Sequence, residues 1–208
     1  MSGLRTKQKA ARERRILEAA VRMFRAEGYK SVRIEDLAES AEVSAGTVYN
    51  YYRTKGDILI AVVAMEVEEV LASGETIVSN PPNGVDAAVL KLTFGYYDHS
   101  LKYLSKDMWR SAMALSIEAP GTPNGQRYSD LDRRLSDQVT SLVATLQRRG
   151  EVRADLSAPA LGQVIFNTLN QEFVDFVRND GMTLAQLRDR VAQQVAPLAK
   201  AITAKDAS

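Results

Sequence analysis

Apolar residues recur at three- and four-residue spacing through most of the chain, the pattern of amphipathic helices. Ile16, Leu17, Ala20, Val21 and Phe24, with Arg15, Glu18, Arg22 and Arg25 between them, predict one helix ending near Gly28. Ile34, Leu37, Ala38 and Ala41 repeat the pattern briefly, and Val48 with Tyr52 does so again, giving two short helices joined by a tight connection. Ile58, Leu59, Val62, Val63, Val67, Val70 and Leu71 mark a longer helix whose start is set at the Lys55-Gly56-Asp57 break. Further helical patterns cover roughly 85–104, 107–118, 126–149, 158–178 and 183–202. Loops rich in Pro, Gly and Asn occupy 79–84 and 119–125, while Gly150 and Gly181 read as helix stops. Pro197 predicts a bend in the last helix, or its end near Ala196. With no run of alternating strand residues, the fold class is all-α with about nine helices.

Composition narrows the chemistry. The 208 residues are 45% hydrophobic and 25% charged, the balance of a protein with a packed core. There is no cysteine, so disulfides, thiolate metal sites and cysteine nucleophiles are excluded. His99 is the single histidine, which excludes a metal site built on several imidazoles, and no cofactor motif is present. Asp98, its sequence neighbour, does not share its helix face, so a catalytic triad has no start there. No apolar run is long enough to span a bilayer, and the charged segment 1–15 is no secretory signal; the expectation is a cytoplasmic protein with no membrane partner and no enzymatic role.

The net charge of +1 hides an asymmetry. Residues 1–56 carry 12 Lys and Arg against 7 Asp and Glu, and residues 57–208 carry 15 against 19. The excess concentrates in Arg5, Lys7, Lys9, Arg12, Arg14 and Arg15, as expected of an arm that neutralises phosphates. A solvated tail has the same composition, so a phosphate-binding role for the arm depends on a DNA-reading element elsewhere in the chain.

Residues 34–52 supply such an element, reading as helix, turn, helix. The second helix opens on the small residues Ser44, Ala45, Gly46 and Thr47 and projects Thr47, Tyr49, Asn50 and Tyr51, while only Val48 and Tyr52 look inward. A helix in the major groove needs this division: N-terminal residues at base edges, hydroxyls and free N–H groups on phosphates, and an apolar side seated on its neighbours.

These residues resemble the tetracycline-repressor (TetR) family of bacterial transcription regulators. The resemblance rests on Ile16-Leu17-Glu18-Ala19-Ala20, Phe24, Gly28-Tyr29, Ile34, Leu37-Ala38, the run Val43 to Tyr52, Lys55 and Leu59. It implies phosphate binding by Thr47, Tyr51 and Lys55, and base-edge or close backbone contact by Ala45, Gly46, Tyr49 and Asn50, with Ser44 and Arg33 completing the DNA-facing set. The chain departs from the family pattern at Glu42, where a turn glycine is common, and at Arg33, where Ser or Thr often caps the second helix. Tyr52 replaces the usual Phe, and Gly56 the usual acidic residue.

The resemblance also implies a division into a DNA-binding domain, 1–56, and an effector-binding and dimerisation domain, 57–208. Phe94, Tyr97, His99, Trp109, Met113, Phe166, Asn170 and Phe173 are the expected lining of a site for a small apolar effector, although each could equally be core. The stripes Leu161, Ile165, Leu169, Phe176 and Leu184, Leu187, Val191, Val195 are the expected homodimer surface, with packing inside one chain as the alternative. The expectation is a ligand-responsive repressor on a double-stranded operator. A DNA-binding factor of the same fold without an effector stays open, and a helical enzyme is the remote third class.

Overall fold

The computed structural model describes residues 2–204, with side chains from Thr6 onward, so Met1, the Arg5 side chain and residues 205–208 lie outside the described residues. Nine helices are present among them: α1 (Ser2–Glu27), α2 (Ile34–Ser40), α3 (Ala45–Tyr51), α4 (Lys55–Ser79), α5 (Val85–His99), α6 (Lys106–Glu118), α7 (Pro123–Arg148), α8 (Ala158–Arg178) and α9 (Leu184–Ile202). The only β pairing among the described residues is an isolated bridge between Val152 and Thr203. No helix among them is long and apolar enough to cross a membrane. The chain divides into two compact units, one of residues up to 66 with Tyr103–Ser129, the other of Val67–Lys102 with residues from Asp130 on.

In the first unit α1 starts fourteen residues before its apolar stripe does. Residues 6–12 are exposed all round, whereas Ile16, Ala19, Ala20 and Phe24 are buried. The expected start near Ile16 is therefore corrected: a solvated helix has no apolar period to reveal it. Gly28, at φ 84°, ends α1 by returning its N–H to the Phe24 carbonyl at 3.1 Å. The start of α4 is set by a reciprocal cap: the Asp57 N–H donates to Thr54 Oγ1 at 3.1 Å, and the Thr54 N–H donates to Asp57 Oδ2 at 2.7 Å. From Ile58 to Ala64 every residue is buried, so this stretch is apolar on all sides and not amphipathic. A side chain at Gly56 would meet Leu115 at 3.3 Å and Asn124 at 3.6 Å, so the α6–α7 corner packs on the first turn of α4.

In the second unit α9 packs on both α5 and α8. Gln138 of α7 ties two neighbours: the Tyr96 hydroxyl donates to its Oε1 at 2.6 Å, and its Nε2 donates to the Leu71 carbonyl at 2.8 Å. α8 approaches α7 so closely that a Cβ at Gly162 would lie 2.6 Å from the Thr140 Cα. The six apolar residues Ile165, Leu169, Phe176, Leu187, Val191 and Val195 are buried within the chain itself. They face inward rather than offering a dimer surface, and only Leu161 and Leu184 of the two expected stripes stay partly exposed.

Several boundaries differ from the sequence reading. α5 stops at His99, five residues early, where the Ser100 hydroxyl and N–H both turn back onto the last carbonyls. α7 begins at Pro123, whose ring suits a first helical position. Gly150 takes the left-handed stop, at φ 75°. Gly181 does not: α8 ends at an extended Asn179, whose Oδ1 accepts the Gly181 N–H at 3.0 Å. α9 continues through Pro197 to Ile202, held by its terminal Thr203, so it does not end at Ala196.

This packing has two measurable consequences. Gly162→Ala should destabilise the protein by about 2–3 kcal/mol in a denaturant titration, because the added Cβ meets backbone that cannot move aside. Burial alone pushes the Asp132 carboxyl up to about 6, whereas an unfolded chain ionises it near 3.9. The folded state therefore holds its proton longer, and this group's share of stability is full below about pH 4, falls as pH rises toward about 6 and stays low above that. Asp132→Asn should match wild type near pH 4 and exceed it by about 2 kcal/mol at pH 7.5.

Candidate nucleic-acid interface

The recognition element is built on a short helix that cannot be stable alone. Ser44 caps α3 by accepting the Thr47 N–H at 3.1 Å, and the two hydroxyls lie 2.9 Å apart, which fixes Thr47 in place. Val48 and Tyr52 are buried and seat α3 on its unit. The opposite side is solvent-facing: Ser44, Gly46, Tyr49 and Asn50 are exposed, Tyr49 by 46%, while Ala45, Thr47 and Tyr51 are partly exposed.

Burial and the adjacent Glu13 carboxylate hold the Tyr52 phenol far above its usual range, so it stays a neutral donor to Glu13 Oε1, at 3.3 Å. This bond ties α3 to α1, and no spacing in the sequence announced it. Tyr51 also reaches α1, since its hydroxyl donates to the Lys9 carbonyl at 3.1 Å, and the Lys9 ammonium lies 6.0 Å from its ring.

Lys55 is the first residue of α4 rather than lying ahead of it. Its ammonium donates to the carbonyls of Lys30 and Val32, both at 2.8 Å, and sits 4.9 Å from the centre of the Tyr29 ring. Desolvation lowers its pKa. Two of its three donors are thus engaged inside the unit, and one remains for an anion. Arg33 is exposed at the start of α2, makes no side-chain cap and stands 3.7 Å from Glu35.

The turn between α2 and α3 passes through Glu42 at φ 54°, the one non-glycine residue with positive φ among those described. Its carboxylate lies 3.5 Å from Arg15.

The residues expected around an effector fall in both units. In the second, Tyr97 stacks on Phe173 at 5.9 Å and donates to the Leu169 carbonyl at 2.8 Å. His99 Nε2 lies 3.0 Å from Glu69, and the Arg188 guanidinium lies 5.3 Å from the Phe94 ring. Phe166 and Asn170 are partly exposed. In the first unit Trp109 is buried and Met113 partly exposed. An apolar void of about 10 Å³, lined by Val85, Val89, Ile165, Val195, Leu198, Ala199 and Ile202, includes none of these residues. An open depression of about 560 Å³ at the α8–α9 turn is lined by Asn179, Gly181, Met182, Gln186, Asp189 and Arg190.

A capped reading helix with a polar outer face defines a helix-turn-helix DNA-binding protein. Residues 16–62 match the family described as "Bacterial regulatory proteins, tetR family". The chain is 21% identical over 178 residues to the fatty acid metabolism regulator protein of Bacillus subtilis, covering 84% of this chain and 88% of that one. Its fold is similar to that of a putative TetR-family regulator from Mesorhizobium loti, with TM-score 0.72, 18% identity and coverage of 95% and 98%. It is also similar to FadR from Bacillus subtilis, solved with stearoyl-CoA, with TM-score 0.66, 19% identity and coverage of 87% and 96%.

Replacing Glu42 should separate backbone strain from side-chain contact. Glu42→Gly should stabilise the protein by about 0.5–1 kcal/mol, because glycine adopts positive φ without a Cβ clash. Glu42→Ala keeps the clash and should give no such gain in the same thermal melt.

Proposed function

We propose that this protein is a cytoplasmic, ligand-responsive transcriptional repressor that binds a pseudo-palindromic operator as a homodimer and acts by binding rather than by catalysis. The observation that carries the reading is the exposed N-terminal half of α3, where the Ser44 cap, Gly46 and Thr47 leave backbone and hydroxyl groups open beside exposed Tyr49 and Asn50. Ser44, Ala45, Gly46, Tyr49 and Asn50 enter the major groove, while Arg33, Thr47, Tyr51 and Lys55 serve the flanking phosphates. Residues 1–56 are the reading domain, and residues 57–208 bind the effector and pair the subunits. Pairing uses the outer face of α8, where Val164 is 53% exposed beside Gln163 and Asn167, because the inner stripes are occupied.

Acyl-CoA is the effector class to test first, since the similar FadR was solved with stearoyl-CoA. Within each unit the expected lining is Phe94, Tyr97, His99, Phe166, Asn170 and Phe173 in one, and Trp109 and Met113 in the other. An acyl chain would have to part the Tyr97–Phe173 stack, so binding and a change of shape are coupled. A regulator without an effector is the second reading, favoured by the burial of Tyr97, Trp109 and Phe173 as packed core.

Selection from random duplex DNA should yield a two-fold symmetric site, and Thr47→Ala with Asn50→Ala should weaken its binding by at least tenfold. Saturating long-chain acyl-CoA should then release the operator by at least tenfold while CoA alone does not. Operator binding untouched by acyl-CoA of any chain length rejects that effector class, and an unenriched selection rejects the repressor itself.

A further inference from the structure

Two Asn-Gly pairs occur in the chain, Asn83-Gly84 and Asn124-Gly125, and the fold treats them differently. A glycine carries no side chain to shield its backbone nitrogen, so after an asparagine that nitrogen can attack the carboxamide carbon. At the second pair the surroundings oppose the attack. Gly125 is buried in the first turn of α7, and its N–H donates to the Thr122 hydroxyl at 3.2 Å. A Cβ there would lie 2.5 Å from the Ala119 carbonyl oxygen, so helix and packing together hold this backbone still.

The first pair is exposed in the loop before α5, with Gly84 at φ 93° as the residue preceding the helix. The Gly84 N–H donates to Glu151 Oε2 at 2.7 Å, and Asn83 Oδ1 accepts from Arg149 Nη2 at 2.6 Å. Arg149 and Glu151 are themselves paired at 2.9 Å, and Arg149 also donates to the Pro81 carbonyl at 2.6 Å. A carboxylate therefore sits on the proton that the attacking nitrogen must lose. A guanidinium sits on the oxygen where negative charge develops.

We propose that Asn83-Gly84 is a self-modification site, at which Glu151 as general base and Arg149 as oxyanion donor promote conversion of Asn83 to an acidic residue. The Gly84 nitrogen bonds to Asn83 Cγ, Glu151 takes the proton from that nitrogen and passes it to Nδ2, and the Cγ–Nδ2 bond breaks to release ammonia. Water then opens the cyclic imide, its hydroxyl adding to either carbonyl carbon and its other proton to the nitrogen. Aspartate or isoaspartate is left at position 83. The aspartate product places a carboxylate on the Arg149 guanidinium and just ahead of α5, where negative charge is favoured. The isoaspartate product lengthens the main chain at the same point. All four residues belong to the second unit, and the step needs neither DNA nor an effector.

The test follows both Asn-Gly pairs by peptide mass spectrometry, with ammonia release measured alongside, in the full chain incubated at neutral pH with and without urea. Position 83 should convert about fivefold faster in the folded chain than in urea, and position 124 more slowly. Glu151→Gln keeps an acceptor oxygen but cannot take the proton, and should slow folded conversion at position 83 roughly tenfold while leaving the rate in urea unchanged. A melting temperature shows that this variant is folded; if it is not, the comparison of folded with urea-unfolded wild type decides alone. Slower conversion at position 83 in the folded chain than in urea overturns the proposal and makes Arg149 and Glu151 a clamp that protects the amide. A folded Glu151→Gln protein that converts as fast as wild type overturns Glu151 as the base.

Discussion

The ammonium of Lys55, held between the carbonyls of Lys30 and Val32, is the constraint on which the reading head depends. Those carbonyls belong to the segment joining α1 to α2, and Lys55 begins α4. One charged group therefore satisfies two backbone acceptors and locks the fourth helix to the helix-turn-helix. A hydrogen bond from a charged donor is worth more than a neutral one, and here it is partly desolvated. One ammonium donor remains beyond those two bonds. An alanine at this position would confuse lost phosphate contact with a loosened head.

The residues of α4 are shared between the two compact units, dividing after Glu66. In the second unit its Leu71 carbonyl accepts from Gln138, which also takes the Tyr96 hydroxyl. A Cβ at Gly74 would lie 2.9 Å from both the Gln138 Cδ and a Leu92 methyl, so the helix has no slack against α5 and α7. A helix packed this closely moves by changing neighbours, not by bending locally. Any effector that releases DNA must bind more tightly to the arrangement that does not fit the operator. Equal affinity for both arrangements would shift nothing.

The helices and the reading motif were legible in the sequence because both depend on local pattern. The small, hydroxyl-bearing start of α3 at Ser44 to Thr47, with Val48 and Tyr52 turning inward, arises from residues within a few positions of one another. What escaped is what distance in sequence hides. The helical start of α1 carries no apolar stripe, and the partners of Lys55, Tyr51 and Tyr52 lie 23 to 42 residues away. The stripes on α8 and α9 had the right period but the wrong partner. A core face and a dimer face obey the same spacing, and only the packing of α5 against α9 and α8 against α9 decides between them.

Tyr51 illustrates how a motif can match while its hydroxyl is already engaged within the unit. The family pattern points its hydroxyl at a phosphate, yet here the same oxygen donates to the backbone of Lys9. A phenol donates only one proton at a time, so while that bond holds it can meet an anion only through its acceptor lone pairs, which repel it. The hydroxyl therefore either leaves Lys9 when DNA arrives or never touches the phosphate.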